Sequence, residues 1–291
     1  MSSGVADWER TGSYHTIAGQ RVFVVDRAAE AERSEPALLL HGFPTCSYDW
    51  RETIDVLARR RRVVALDLLG FGLSAKPDRK YSLLGQADLV EAIAAELGLW
   101  EVALVTHDMG DSVGGELLAR SLEGALGFEV THRVVTNGSI YMELVQLSDG
   151  QKLLLMLPDE ILAEDQAPDR AAVAAALRGT LAPDASVDPG ELETLAELVV
   201  RDGGSRLLPR TIRYVEERRV HEARWTGAIE RHAAPLTIIW GDVDPIAVWP
   251  MAEKLHEGRP DATLVRLSGI GHYPMLESPA AFDAAVEHAL G

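Results

Sequence analysis

The sequence predicts a doubly wound α/β domain with a mostly parallel sheet and a helical module inserted late in the chain. Three observations carry that expectation. Short, continuously apolar, β-branched runs alternate with segments of helical period from about residue 20 to 139 and again from 235 to 291, as strands covered on both faces by helices require. Residues 141–225 break this rhythm: they are rich in Leu, Ala, Glu and Arg, are punctuated by Pro158, Pro168, Pro183, Pro189 and Pro209, and have almost no β-branched clusters. The 291 residues are enough for one large core carrying such an insertion.

In chain order the strand candidates are 21–25, 37–40, 63–66, 102–105, 134–136, 236–240 and 263–267. Between the third and fourth, Ala87, Val90, Ile93, Ala94 and Leu97 recur at helical spacing, and Gly98 ends that helix. The expected organisation is a core of residues 1–140 and 226–291 with a cap of several short helices at 141–225. No internal repeat is visible, and the one biased tract is the alanine-rich 171–176.

Composition narrows the function classes. The chain is 47% apolar and 25% charged, which is globular, and 28 Lys plus Arg against 45 Asp plus Glu give a net charge of −17. That charge repels phosphate backbones and anionic lipid, and the only basic cluster is the short run Arg59 to Arg62, so neither nucleic acid nor membrane is an expected partner. No apolar run approaches the roughly 20 residues of a spanning helix, and nothing near Met1 reads as an export signal. Cys46 is alone, so no internal disulfide forms, and a cytoplasmic location is expected. The nine histidines show neither H-x₃-H nor H-E-x-x-H spacing, and no G-x-G-x-x-G or phosphate-binding loop follows a strand. No metal or cofactor is expected. Monomer and homodimer both stay open.

The residues that carry chemistry follow strand candidates, where an open parallel sheet places its ligands. They are His41-Gly42-Phe43-Pro44, Asp67 to Ser74, Thr106-His107-Asp108-Met109-Gly110, Gly241-Asp242-Val243-Asp244-Pro245 and Gly269-Ile270-Gly271-His272. A nucleophile candidate, then an acid, then a histidine is the chain order of the α/β-hydrolase triad. On these motifs the chain resembles the α/β-hydrolase superfamily over nearly its whole length. HGFPTCSYDW, DLLGFGLSAKP and THDMGD are most similar to the epoxide hydrolase and haloalkane dehalogenase branch, including the mesoderm-specific transcript proteins.

One rival sits inside the same stretch. Gly110-Asp111-Ser112-Val113-Gly114 is a literal G-x-S-x-G, the signature of a serine esterase. Register favours Asp108, because the nucleophile must stand at the strand end, whereas Ser112 falls one turn inside the following helix. Thr106 occupies a position where the family usually has glycine. Asp242 competes with Asp244 for the acid, and the family pattern G-x-x-D-P selects Asp244. His41 and His107 read as structural residues that fix loops beside the site.

A carboxylate nucleophile points to attack at an sp³ carbon, since attack on an acyl carbon gives only a reversible anhydride. The substrate is then a small apolar molecule bearing an epoxide or a carbon–halogen bond. The resemblance implies that Asp108 forms an alkyl ester, that His272 oriented by Asp244 activates water, and that the amides of Phe43 and Met109 hold the oxyanion. It also implies two tyrosines that protonate an epoxide oxygen, for which Tyr141 and Tyr214 stand near the family's two places. Halide-binding donors are missing, since Met109 follows Asp108 and Phe43 stands where a polar side chain is usual. The reading is an epoxide hydrolase; a dehalogenase on the same triad, a Ser112 esterase and a non-catalytic ligand-binding member of the fold are the alternatives. Asn137 after a core strand and Trp225 in the cap are candidate substrate contacts beside an apolar pocket between cap and core.

Overall fold

A computed structural model describes residues 3–31 and 34–291. An N-terminal helix, α1 (Ser3–Glu9), precedes the hairpin β1 (Ser13–Ile17) and β2 (Gln20–Arg27), then β3 (Ala37–Leu40), α2 (Arg51–Leu57) and β4 (Val63–Leu66). The centre of the chain is α3 (Leu83–Glu96), β5 (Glu101–His107), α4 (Met109–Leu122) and β6 (Glu129–Thr136). The inserted module holds α5 (Asp149–Met156), α6 (Arg170–Arg178), α7 (Pro189–Val200), α8 (Leu208–Thr211) and α9 (Tyr214–Arg231), and the fold closes with β7 (Leu236–Gly241), α10 (Trp249–Gly258), β8 (Thr263–Leu267), α11 (Pro274–Glu277) and α12 (Pro279–Leu290). Among the described residues no helix is long and apolar enough to cross a membrane.

Eight strands form one sheet in the order β1-β2-β4-β3-β5-β6-β7-β8. The pairs from β4 to β8 are parallel, and β1 and β2 join antiparallel at one edge. Alternate strand residues face opposite sides, so each strand feeds two apolar layers. Leu38, Leu40, Val64 and Leu104 pack with α3, α4, α9 and α10, while Leu39, Ala65, Ala103 and Val105 pack with α1, α2, α7 and α12. Burial on both faces explains why these strands read as unbroken apolar runs.

Three elements differ from expectation. β1 is not among the seven candidates: it is an edge strand, mostly exposed, whose polar SYHTI lacks an apolar signal. It is fixed to β2 by a two-residue turn at Ala18 and Gly19, both at positive φ, in the hairpin geometry that suits strand twist. β5 runs two residues past Val105, because Thr106 and His107 still pair with Val135 and Thr136. Finally, the expected cap boundary at 225 falls inside α9. That helix packs along α4, and Gly115 permits the approach, since a Cβ there would lie 2.9 Å from the Cβ of Trp225.

Candidate active site

Asp108 occupies the turn between β5 and α4, at φ 49° and ψ −112°. A non-glycine residue adopts this region only when its surroundings hold it there. The surroundings do so through small neighbours: a Cβ on Gly42 would meet the Asp108 Cβ at 2.6 Å, and one on Gly110 would meet the Leu40 carbonyl oxygen at 2.4 Å. Thr106, in place of the family's glycine, finds its room at Gly114, where a Cβ would stand 3.0 Å from Thr106 Cγ2. Its hydroxyl bonds Asp111 and the Val134 carbonyl.

The Asp108 carboxylate is buried, and its two oxygens are treated differently. Oδ2 accepts from the Phe43 amide at 2.9 Å, whereas Oδ1 has no hydrogen-bond partner among the described residues. Met109 opens α4, where the amide has no acceptor within the helix. Asp244 and His272 come from the loops after β7 and β8. His272 Nδ1 lies 2.8 Å from Asp244 Oδ2, and the other Asp244 oxygen accepts from the amides of Ile246 and Ala247 at 2.7 and 3.1 Å. Burial works against a charged His272, but the charge and hydrogen bond of Asp244, assisted by Asp108, outweigh it and push the imidazole up to about 9. The structure therefore brings Asp108, Asp244 and His272 together. Asp242 is instead bound to Arg266, Ser268 and the Gly269 amide.

The two buried histidines support the loops around this centre. His41 bridges the Gly42 carbonyl and the Leu68 amide at 2.8 and 2.9 Å. His107 donates through Nε2 to the His272 carbonyl at 2.8 Å, and burial drives it down to about 3, so it is neutral.

Three other sequence-based assignments are corrected by placement. Asn137 is no substrate contact: its Nδ2 donates to Asp244 Oδ2 at 2.8 Å and its Oδ1 accepts from the Gly241 amide at 3.0 Å, so it braces the acid. Beside it, a Cβ on Gly138 would stand 1.8 Å from Asp111 Oδ2. Trp225 lies in the α4–α9 interface, donating from Nε1 to Glu116 Oε2 at 2.8 Å, and does not line the cavity. Tyr141 donates to Glu230 at 2.8 Å, with the Lys254 ammonium over its ring, and points away from the site. Tyr214 does reach it. Its ring is 5.5 Å from that of Phe43, and burial followed by the Asp108 charge raises its hydroxyl far above the usual tyrosine value. Ser112 sits within α4 and accepts from Arg218 Nε at 2.6 Å.

A cavity of about 250 Å³ opens between cap and core. Its wall is mostly apolar, including Leu154, Val173, Leu177 and Leu208, and Phe43, His272 and Tyr273 also line it. Two polar groups here escape sequence reasoning. Tyr273 immediately follows His272, and Gln151 is the N3 member of the Ser148 capping box that opens α5 and lies beside the Tyr214 hydroxyl. Adjacency to His272 was the available signal for the first; the second has none. Among the described residues no cluster of His, Cys, Asp or Glu could hold a metal ion.

Comparison with known proteins agrees with this architecture. LipZ of Mycobacterium tuberculosis, which carries a hydrolase name, is 37% identical over 98% of this chain and 97% of its own. The mesoderm-specific transcript protein of Mus musculus is 32% identical over 97% of this chain and 86% of its own. A crystal structure of an alpha/beta hydrolase fold protein from Burkholderia ambifaria superposes with a TM-score of 0.75 at 25% identity, covering 94% of this chain and 96% of that one. Residues 37–285 match the alpha/beta hydrolase family, and with the elbow, acid loop and histidine loop in place the chain belongs to that family.

Proposed function

We propose that the protein is an epoxide hydrolase that works through an Asp108 ester. The observation that carries this reading is the asymmetry of Asp108: one oxygen is held by the Phe43 amide, while the other is buried with no protein partner. An unpartnered carboxylate oxygen is a nucleophile kept from solvation, and its natural target is an sp³ carbon carrying a leaving group. Attack opens the ring, with Tyr214 near the developing alkoxide. Water activated by His272 then adds to the Asp108 carbonyl carbon, the charge collects on the oxygen facing the Phe43 and Met109 amides, and collapse releases the diol.

The rival chemistries have weaker support. Ser112 is inside a helix, and its hydroxyl is engaged by Arg218. Halide displacement needs N–H donors at the leaving group, yet no tryptophan is among the residues lining the cavity.

His272→Gln retains attack and loses hydrolysis, so it traps the ester. Incubation with an epoxide should add the whole epoxide mass to the peptide carrying Asp108, read by intact-mass and peptide mapping. Addition of an alkyl group from a haloalkane, with none from epoxides, would move the assignment to a dehalogenase. Labelling by neither, across panels matched to the apolar cavity, would remove the Asp108 ester mechanism.

A further inference from the structure

Ring opening needs a proton at the leaving oxygen, and with Tyr141 turned towards Glu230 the cap supplies one tyrosine to the site. A second phenol is present from the core. Tyr273 is 1% exposed and lines the cavity beside His272, with the two rings 4.9 Å apart and edge to face. Its hydroxyl donates a long hydrogen bond of 3.4 Å to the carbonyl oxygen of Phe43, the residue whose amide holds Asp108, and this is the bond a substrate oxygen would replace. Burial, then the charges of Asp49 and Asp108, keep it protonated, and Tyr214 is near enough to act on it electrostatically.

Behind Tyr273 runs a buried hydroxyl–carboxyl pair. Thr45 stands beside the phenol oxygen and its hydroxyl donates to Asp49 Oδ2 at 2.5 Å, while Asp49 Oδ1 has no partner among the described residues. We propose that Tyr273 is a catalytic proton donor to the epoxide oxygen, and that Thr45, backed by Asp49, is the positioning residue that turns the phenol proton towards the cavity. This rests on the Asp108 epoxide hydrolase reading above.

The argument is one of proton count. Thr45 has a single proton and two neighbours that can accept it. When Asp49 is protonated it donates to Thr45, Thr45 donates to the Tyr273 oxygen, and the phenol proton is left for substrate. When Asp49 is ionised, Thr45 donates to it instead and Tyr273 turns its proton to Thr45. Burial raises Asp49 to about 7, so both arrangements are populated near neutrality. Asp49 is faced by Thr45 on its own loop, Arg51 at the start of α2, Asp67 after β4, and His272 and Tyr273 after β8; Arg51 and His272 favour its charge, and Asp67 opposes it.

The step balances. Asp108 Oδ1 bonds to the epoxide carbon as that carbon's C–O bond breaks, and the electron pair stays on oxygen, which takes the Tyr273 proton. Thr45 reprotonates the phenolate and Asp49 reprotonates Thr45, so one carboxylate charge disappears at Asp108 and one appears at Asp49. Once Asp108 is esterified its charge no longer holds the His272 proton, which passes to Asp49; ester hydrolysis then regenerates the Asp108 carboxylate and returns a proton to His272. Displacement of a halide uses no proton and makes no demand on Tyr273.

The test follows the rate of labelling at the Asp108 peptide by hexene oxide in four proteins, His272→Gln alone and combined with Tyr273→Phe, Thr45→Val or Thr45→Ser. Thermal midpoints are recorded for each. Tyr273→Phe should slow labelling roughly 10- to 100-fold, in the range of general acid catalysis. Thr45→Val should slow it less, more strongly below neutral pH than above it, and Thr45→Ser should restore both rate and pH profile, which a packing defect would not. Labelling of the Tyr273→Phe protein at the rate of His272→Gln overturns the proposal. Should Tyr273→Phe lose its fold, an unchanged rate and profile in Thr45→Val overturns it instead. Absence of label in His272→Gln alone identifies a failure of the underlying reading, and the proposal falls with it.

Discussion

At the scale of single residues, the Asp108 charge has two roles. In the proposed mechanism it is the nucleophile, and in the structure it is one of the charges that raise His272 to about 9. A base that is mostly protonated at neutral pH cannot activate water, yet alkylation of Asp108 removes that charge, and the imidazole then releases its proton at lower pH. Asp108→Asn mimics the neutral ester. It should lower the His272 pKa, followed by NMR titration of the imidazole signals, and an unchanged titration would show that Asp244 alone sets it. The sign follows directly: hydrolysis of the ester should speed up as pH rises through the lowered value. Much of this centre was legible because Asp108, Asp244 and His272 lie in motifs at strand ends. The supporting residues were not, since a polar side chain at a strand end can face substrate or a neighbouring loop equally well. Asn137 takes the second course, and Tyr273 has no signal of its own beyond its adjacency to His272.

At the scale of elements, α9 joins the two halves of the molecule. Its first turns bring Tyr214 against Phe43 and Arg218 against Ser112 of α4, and its later turns pack on α4 through Trp225 and Gly115. Trp225→Phe should therefore lower stability by about 2 kcal/mol, the order of one hydrogen bond to a charged group, while labelling of Asp108 in the His272→Gln background keeps its rate. Denaturant unfolding and the adduct assay read the two effects separately. Tyr141→Phe should likewise leave the labelling rate unchanged. The expectation of Tyr141 as a site residue rested on the family resemblance and that of Trp225 on its place in the cap, and neither gives the direction of a side chain. For the same reason the boundary at 225 cut a helix: Arg218, Trp225 and Ile229 all belong to one continuous α9, and a change of burial partner along a helix leaves no break in its periodicity. The buried strands, by contrast, announced themselves through their apolar runs, and β1 did not because water covers most of it.

At the scale of the whole molecule, the net charge of −17 acts on every approaching substrate. A neutral epoxide is indifferent to it, whereas an epoxide bearing a carboxylate is repelled over a Debye length of about 10 Å at 0.1 M salt. Raising the ionic strength should increase kcat/KM for the anionic substrate and leave that of its neutral methyl ester unchanged; equal responses would place the effect elsewhere. The interlock between insert and core has a further meaning for how such proteins are recombined. Asn137 braces the acid, Gly138 gives Asp111 its space, and Tyr214 begins a helix that belongs to both halves. The portion that can be exchanged for a relative's without disturbing Asp108, Asp244 and His272 is thus 139–213, whereas a graft of 141–225 would carry away the first twelve residues of α9 and leave the remaining six without a start.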